Sequence, residues 1–259
     1  MRIVDLSVTL KNPNPEELKN PINKVLTAEI EYQSHLDTVP QITQVLGCEE
    51  KDLPNGYGWA NESVTLTTHS GTHLDAPYHY YPTTDGKPAR TIDELPLEWF
   101  FGEGFVFDFT HMVPGQTVTV EDIQNYLEKV DYEIKEGNIV FLRFDADKKL
   151  GTAEYYSHFP GMSAEATHYL IDKGVKIIGT DAMGFDIPFD MIAEKFKKTQ
   201  DPSVIWEAHR VGMHKEYCQI EKMANLDKLP PFGFKVVCIP ISIYKASAGW
   251  VRPVAILED

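Results

Sequence analysis

Hydrophobic and polar residues alternate through residues 2–10 (RIVDLSVTL), the period of a half-buried strand. Residues 13–60 then lose any regular pattern, broken by Pro21, Pro40, Pro54, Gly56 and Gly58. A patternless stretch of that length in a compact fold usually serves function or a contact between subunits. Alternation returns at 63–68, where Val64 and Leu66 interleave with Thr65 and Thr67, and a further strand is expected at 104–109. Thr119 is placed to cap a helix, with Asp122 three residues on and an apolar stripe at Ile123, Leu127 and Val130. Gly137 leads into a buried strand at 139–144. The unit recurs: Ser163 caps a helix to Lys173, Gly174 stops it, and a strand at 175–179 ends before Asp181. Strands at 236–243 and 251–257 close the chain.

Two helix–strand units among many strands predict an α/β fold with a mixed sheet and few helices. Proline and glycine, 17 each, are scattered as turn punctuation rather than gathered at a boundary, so residues 1–259 are expected to form one domain. Neither GxGxxG after a strand nor GxxxxGK[ST] occurs, which removes the common nucleotide-binding loops.

Composition narrows the partners. The chain carries 24 basic and 39 acidic residues, a formal net charge of −15. Such a surface repels phosphate backbones and acidic lipid, so no nucleic acid and no membrane partner is expected. No window approaches the roughly 18 uninterrupted apolar residues of a membrane span. The three cysteines, Cys48, Cys218 and Cys238, lack Cys-x-x-Cys spacing, and Cys238 sits in an apolar run. Buried thiols in a reduced compartment fit that usage, and the N-terminus enters a strand pattern without a secretory signal, so a cytoplasmic location is expected.

The informative stretch is HSGTHLDAPYH, from His69 to His79. Gly71 and Pro77 oppose a continuous helix, so the spacing is not that of the helical zinc proteases. A strand ending at His69, a turn at Gly71 and an extended His73-x-Asp75 would aim two imidazoles and a carboxylate at one point. That donor set suits Zn²⁺, Mn²⁺ or Fe²⁺, and three protein ligands leave a coordination position open for water.

The motif resembles the cyclase family of metal-dependent hydrolases, which includes bacterial kynurenine formamidases and isatin hydrolases. The family pattern HxGTHxDxPxH is met by His69, Gly71, Thr72, His73, Asp75, Pro77 and His79. The segments at 160–181 (PGMSAEATHYLIDKGVKIIGTD) and 207–221 (EAHRVGMHKEYCQIE) and the closing VRPVAIL resemble later family blocks. The resemblance implies a swivelling β/β/α domain and one ion, zinc or manganese, on His69, His73 and Asp75. It implies a second ion, bridged by Asp75, on His209 and Glu221, and an acid/base role for His79. It also suggests a homodimer or homotetramer.

The implied reaction is hydrolysis of an amide, lactam or ester bond of a small cyclic or aromatic substrate by metal-activated water. A metal-dependent cyclase or lyase, or a binding protein without catalysis, remains the alternative. Trp59 and Tyr78, among the aromatic residues crowding the motif, are candidates to line a flat substrate, or simply packing residues. Asp181 has two readings, orienting a ligand histidine or capping the loop that follows it. Two departures from the family pattern fall on the expected pocket: no tryptophan precedes Trp59, and Arg143 is followed by Phe144, Asp145 and Ala146 rather than Thr-Gly-Trp.

Overall fold

The computed structural model describes residues 1–258. Nine strands form its main sheet: β1 (Arg2–Asp5), β2 (His73–Asp75), β3 (Phe101–Asp108), β4 (Ile139–Arg143), β5 (Ile177–Thr180), β6 (Cys218–Glu221), β7 (Phe234–Val237), β8 (Ala248–Trp250) and β9 (Val254–Leu257). Their spatial order is β1-β9-β7-β3-β4-β5-β6-β2-β8. The central four, β3 to β6, run parallel, and every pairing outside them is antiparallel. Residues 251–253 alone join β8, at one edge, to β9, next to the other, and three residues reach at most about 14 Å. The sheet therefore curls until its edges approach, and a bridge from Ser7, just past β1, to Met223, just past β6, helps close it.

Strand period explains the two cores. In β4, Ile139 and Phe141 face one way while Val140 and Leu142 face the other. The first pair joins Val4, Leu74, Val106, Ile220 and Ala255 on the concave face. The second joins Phe105, Phe107 and Ile178 beneath two of the helices. Burial on both faces is the usual condition of parallel strands, and each such side chain contributes about 1.5–3 kcal/mol.

Six helices lie among the described residues: α1 (Asn23–Leu26), α2 (Val39–Leu46), α3 (Pro77–Tyr80), α4 (Val120–Val130), α5 (Ala164–Asp172) and α6 (Phe189–Thr199). This is the mixed α/β fold with few helices expected from the pattern. Thr119 and Ser163 cap α4 and α5 as expected, each side-chain oxygen accepting the amide three residues on. The α4 stripe of Ile123, Leu127 and Val130 lies on the outer core.

Other segments differ from the pattern. The strand at 63–68 is Asn61–Thr65, which pairs with Glu29–Gln33 in a hairpin outside the main sheet. That hairpin recruits part of the segment that showed no pattern, and its exposure on both faces erased the alternation signal. Pro240 stops β7 short of 243, and the run at 251–257 is a strand only from Val254, after Pro253, while β8 at 248–250 was not expected. Helices α2 and α6 were not anticipated.

Candidate metal centre

Strand β2 carries the motif into the sheet interior, hydrogen-bonded to β6 on one side and β8 on the other. Leu74 points into the concave core, so His73 and Asp75 share the opposite face, both fully buried. The antiparallel register sets Glu221 opposite His73, with its Oε2 3.6 Å from His73 Nε2. His69 comes from a turn rather than a strand end: Ser70 N–H donates to the Thr67 carbonyl, and Gly71 follows at φ +62°. That left-handed angle favours glycine, whereas a Cβ there would meet only the end of the flexible, exposed Leu10 side chain. Pro77 starts the one-turn helix α3, where a missing N–H costs nothing, and this turn swings His79 inward. His209 opens a 3₁₀ turn, His209–Met213, packed against α3, and Gly212 lets the Tyr80 ring lie against its backbone.

These residues converge. The His79 ring centroid lies 4.2 Å from that of His69 and 5.6 Å from that of His209. Asp75 Oδ1 lies 2.9 Å from His69 Nδ1 and 3.3 Å from His73 Nε2, yet neither nitrogen is aligned to donate to it. His73 Nδ1 faces the Gly71 carbonyl at 3.0 Å, which fixes the proton there and leaves Nε2 with a bare lone pair. His73 Nε2 and both Asp75 oxygens are thus buried without hydrogen-bond partners. Orphaned acceptors aimed at one another are costly unless a cation sits between them, so the residues present fit a divalent ion. Two donor sets share Asp75, one with His69 and His73 and the other with His79 and His209, each with its ligating atoms within 4.8 Å of one another.

Electrostatics separate the histidines. Burial drives the His79 pKa down to about 4; Asp75 opposes the shift and His209, His69 and His73 add to it. Burial also disfavours a charged His209, but the hydrogen bond and charge of Asp186 override it and lift its pKa to about 9. Asp186 holds His209 Nδ1 and also accepts the amides of Ala208 and His209, leaving His209 Nε2 3.7 Å from Glu221 Oε1. Burial raises the Glu221 pKa and the charge of Asp75 adds to it, while the Phe185 amide donates to its Oε1.

Beside the histidines opens a cavity of about 350 Å³, walled by Phe159, Phe185, Phe189 and Trp206 on one side and Ile22, Val25 and Leu26 on another. Trp206 stacks on His209 at 5.5 Å and stands 6.3 Å from His79.

The model of one protein family, described as "Putative cyclase", matches residues 4–187. The chain belongs to this cyclase family. Its curated relatives include the isatin hydrolase of Roseibium aggregatum, 29% identical over 213 residues that cover 75% of this chain and 73% of that one. The kynurenine formamidase of Erythrobacter litoralis is 29% identical over 196 residues, 76% of each chain. Solved cyclase-family structures share the fold. An isatin hydrolase bound to the product analogue thioisatinate superposes with a TM-score of 0.76 at 24% identity, covering 99% of this chain and 92% of that one. Isatin hydrolase A from Ralstonia solanacearum gives the same values.

The fold brings together six of the residues singled out by the cyclase-family pattern: His69, His73, Asp75, His79, His209 and Glu221. Three others lie elsewhere. Trp59 belongs to the arm beyond the hairpin, lining a separate depression with Ile42, Leu46 and Leu53. Tyr78 is 46% exposed, because the residue beside an inward His79 on a helical turn faces outward. Asp181 accepts the amides of Phe144 and Asp145, in the loop after the neighbouring strand β4 rather than the loop that follows Asp181 itself, and the carboxylate bonded to a histidine is Asp186. Asp186, Trp206 and the phenylalanines of the cavity were missed. The run MGFDIPF and the isolated Trp206 are aromatic-rich signals, but nothing local says which of Asp181 and Asp186 turns toward a histidine.

Proposed function

We propose that this chain is a metal-dependent hydrolase that cleaves the C–N bond of a small planar amide, an arylformamide or an isatin-like lactam. The observation that carries the reading is the convergence of unpartnered His73 and Asp75 atoms beside an apolar, aromatic-walled cavity. Residues 1–259 act as one domain. His69, His73 and Asp75 would hold one zinc or manganese ion, and Asp75, His209 and Glu221 a second. A divalent ion bound there supplies an acidified water and a positive charge to polarise the scissile carbonyl.

The chain's own groups supply the rest. Trp206 and Phe185 offer flat faces to an aromatic substrate, and the apolar walls keep bulk water from the reacting bond. Depressed below the usual histidine range, His79 stays neutral at physiological pH and can accept a proton. Once protonated it is a strong acid toward a leaving nitrogen. Asp186 keeps the His209 ring in the orientation that turns Nε2 to the site. The grouping of His79 with Asp75 and His209 favours a second reading, in which His79 is itself a ligand of the second ion.

Three free cysteines, two of them buried, support a cytoplasmic location. No described helix is long and apolar enough to cross a membrane. The exposed apolar residues Tyr32, Leu36, Val45, Leu46 and Trp59 on the hairpin and its arm support a homodimer or homotetramer. The test is elemental analysis of protein purified without chelator, followed by a hydrolysis screen of aryl formamides, isatin-like lactams and lactones. Bound zinc or manganese in the wild type, lost in His73→Ala, with turnover of one of these compounds is the expected result. A metal-free wild type would overturn the proposal.

A further inference from the structure

His69 faces Asp75 from outside the sheet, its ring Nε2 lying 3.2 Å from Ser247 Oγ. His73 and Asp75 are held by ladders on both sides, whereas His69 sits in a turn with its side chain 22% exposed. A ring in a turn needs its backbone fixed from outside if its nitrogen is to stay within bonding distance of an ion. One residue does this from two directions. Lys222 Nζ donates to the His69 carbonyl at 2.6 Å, and the Lys222 carbonyl accepts the Thr72 hydroxyl at 2.5 Å. The two contacts fall on either side of Gly71, the flexible point of the turn. Thr72 Oγ1 in turn accepts the Val8 amide at 2.9 Å, anchoring the grip to the segment after β1.

The backbone of Lys222 is built for that reach. It follows Glu221, the last residue of β6, and takes φ +58°, a left-handed conformation uncommon for lysine. The kink breaks the strand and turns the side chain back toward the motif loop. There the residue is buried, at 5% exposure, on the wall between the site cavity and a neighbouring cavity of about 360 Å³ lined by Ser7, Thr9 and Lys11. A buried ammonium in a strained residue is expensive, and it persists where the surroundings over-determine it. A salt bridge to Glu221 next door would be the simpler use of that charge, yet the ammonium is spent on a backbone carbonyl.

We infer that Lys222 is a positioning residue of the metal centre, clamping the His69–Thr72 loop so that the His69 imidazole is held ready for an ion. The inference rests on the metal-centre reading above and assigns to Lys222 a role outside the ligand set. It also predicts a sign. As a nearby cation, Lys222 repels a bound dication, so removing its charge alone would tighten metal binding. As a clamp, its removal frees His69 and weakens binding.

Cobalt(II) titration followed by visible absorption separates these. Wild type is expected to bind Co²⁺ and give a ligand-field spectrum; a wild type that binds none would overturn the metal-centre reading itself. Lys222→Met is expected to lower Co²⁺ affinity about 10–100-fold and alter the spectrum, as loss of an outer partner of a ligand does. Lys222→Arg, which keeps a donor for the carbonyl, is expected to restore most of the affinity. In a His69→Ala background Lys222→Met should cost nothing further, because the clamp then has nothing to hold. Unchanged or tighter binding by Lys222→Met, or an equal loss with and without His69, would overturn the clamp while leaving the metal centre standing. Thr72→Val loosens the same loop without touching the buried charge and should likewise weaken Co²⁺ binding. It serves if Lys222→Met does not fold, and wild-type affinity there would overturn the clamp equally.

Discussion

At the scale of single residues, neighbours rather than residue type decide what each polar group does. His79 and His209 are both buried histidines, yet one is pushed down to about 4 and the other up to about 9, because only His209 has a carboxylate on its ring. Replacing His79 with alanine is expected to leave metal content unchanged and to lower kcat about 10²–10⁴-fold on the substrate found by screening. A matching loss of one ion per chain by elemental analysis would instead make His79 a ligand. Asp186→Asn should weaken the ion held through His209 about 10–100-fold, measured by competitive chelation, because the ring loses its fixed tautomer. Asp181→Asn tests the other carboxylate. Burial pushes its pKa up to about 8 against the amides that donate to it. An asparagine there must turn an NH₂ toward one of those amides, a cost of about 1–3 kcal/mol in denaturant unfolding, with metal content unchanged.

At the scale of elements, the site is assembled by three short pieces whose positions are set by packing. Strand β2 is only three residues long, and it is straight and buried because β6 and β8 flank it. Helix α3 is a single turn, too short to be stable alone, and it owes its place to the 3₁₀ turn at His209–Met213. A Cβ on Gly212 would lie 2.2 Å from Tyr80 Cδ2 and 2.8 Å from Tyr80 Cβ, so the α3 backbone would have to move. Gly212→Ala is therefore expected to cost about 1–3 kcal/mol by overpacking. A shift of about 1 Å in His79 can lower turnover roughly 10²-fold, so kcat should fall while the ion on His69, His73 and Asp75 stays. Wild-type kcat in this variant would mean that α3 tolerates displacement.

At the scale of the whole molecule, the unpartnered atoms of His73 and Asp75 link the site to stability. An ion that binds only the folded chain stabilises it by about 2.7 kcal/mol at a hundredfold excess over its Kd. For a chain of this size that corresponds to a rise in Tm of roughly 5–10 °C. Chelation should lower Tm by that amount and added Zn²⁺ or Mn²⁺ restore it, checked by thermal scans. An unchanged Tm would mean that the buried acceptors are satisfied in some other way.

What the sequence determined by itself is what short-range chemistry can encode. HSGTHLDAPYH places three histidines, an aspartate and a turn-permitting glycine within eleven residues, so the core of the candidate centre was legible without a fold. Thr119 and Ser163 were legible as caps for the same reason, since a cap bonds an amide three residues away. The pairing of Glu221 with His73, the turn of Asp186 rather than Asp181 toward a histidine, and the placing of Trp206 over the cavity were decided by the tertiary structure alone. So was the fate of 63–68, whose alternation predicts a strand but not which one it joins. The reason is physical: a period of two records that a segment can be half-buried, whereas its register and neighbours depend on which distant surfaces exclude water against it.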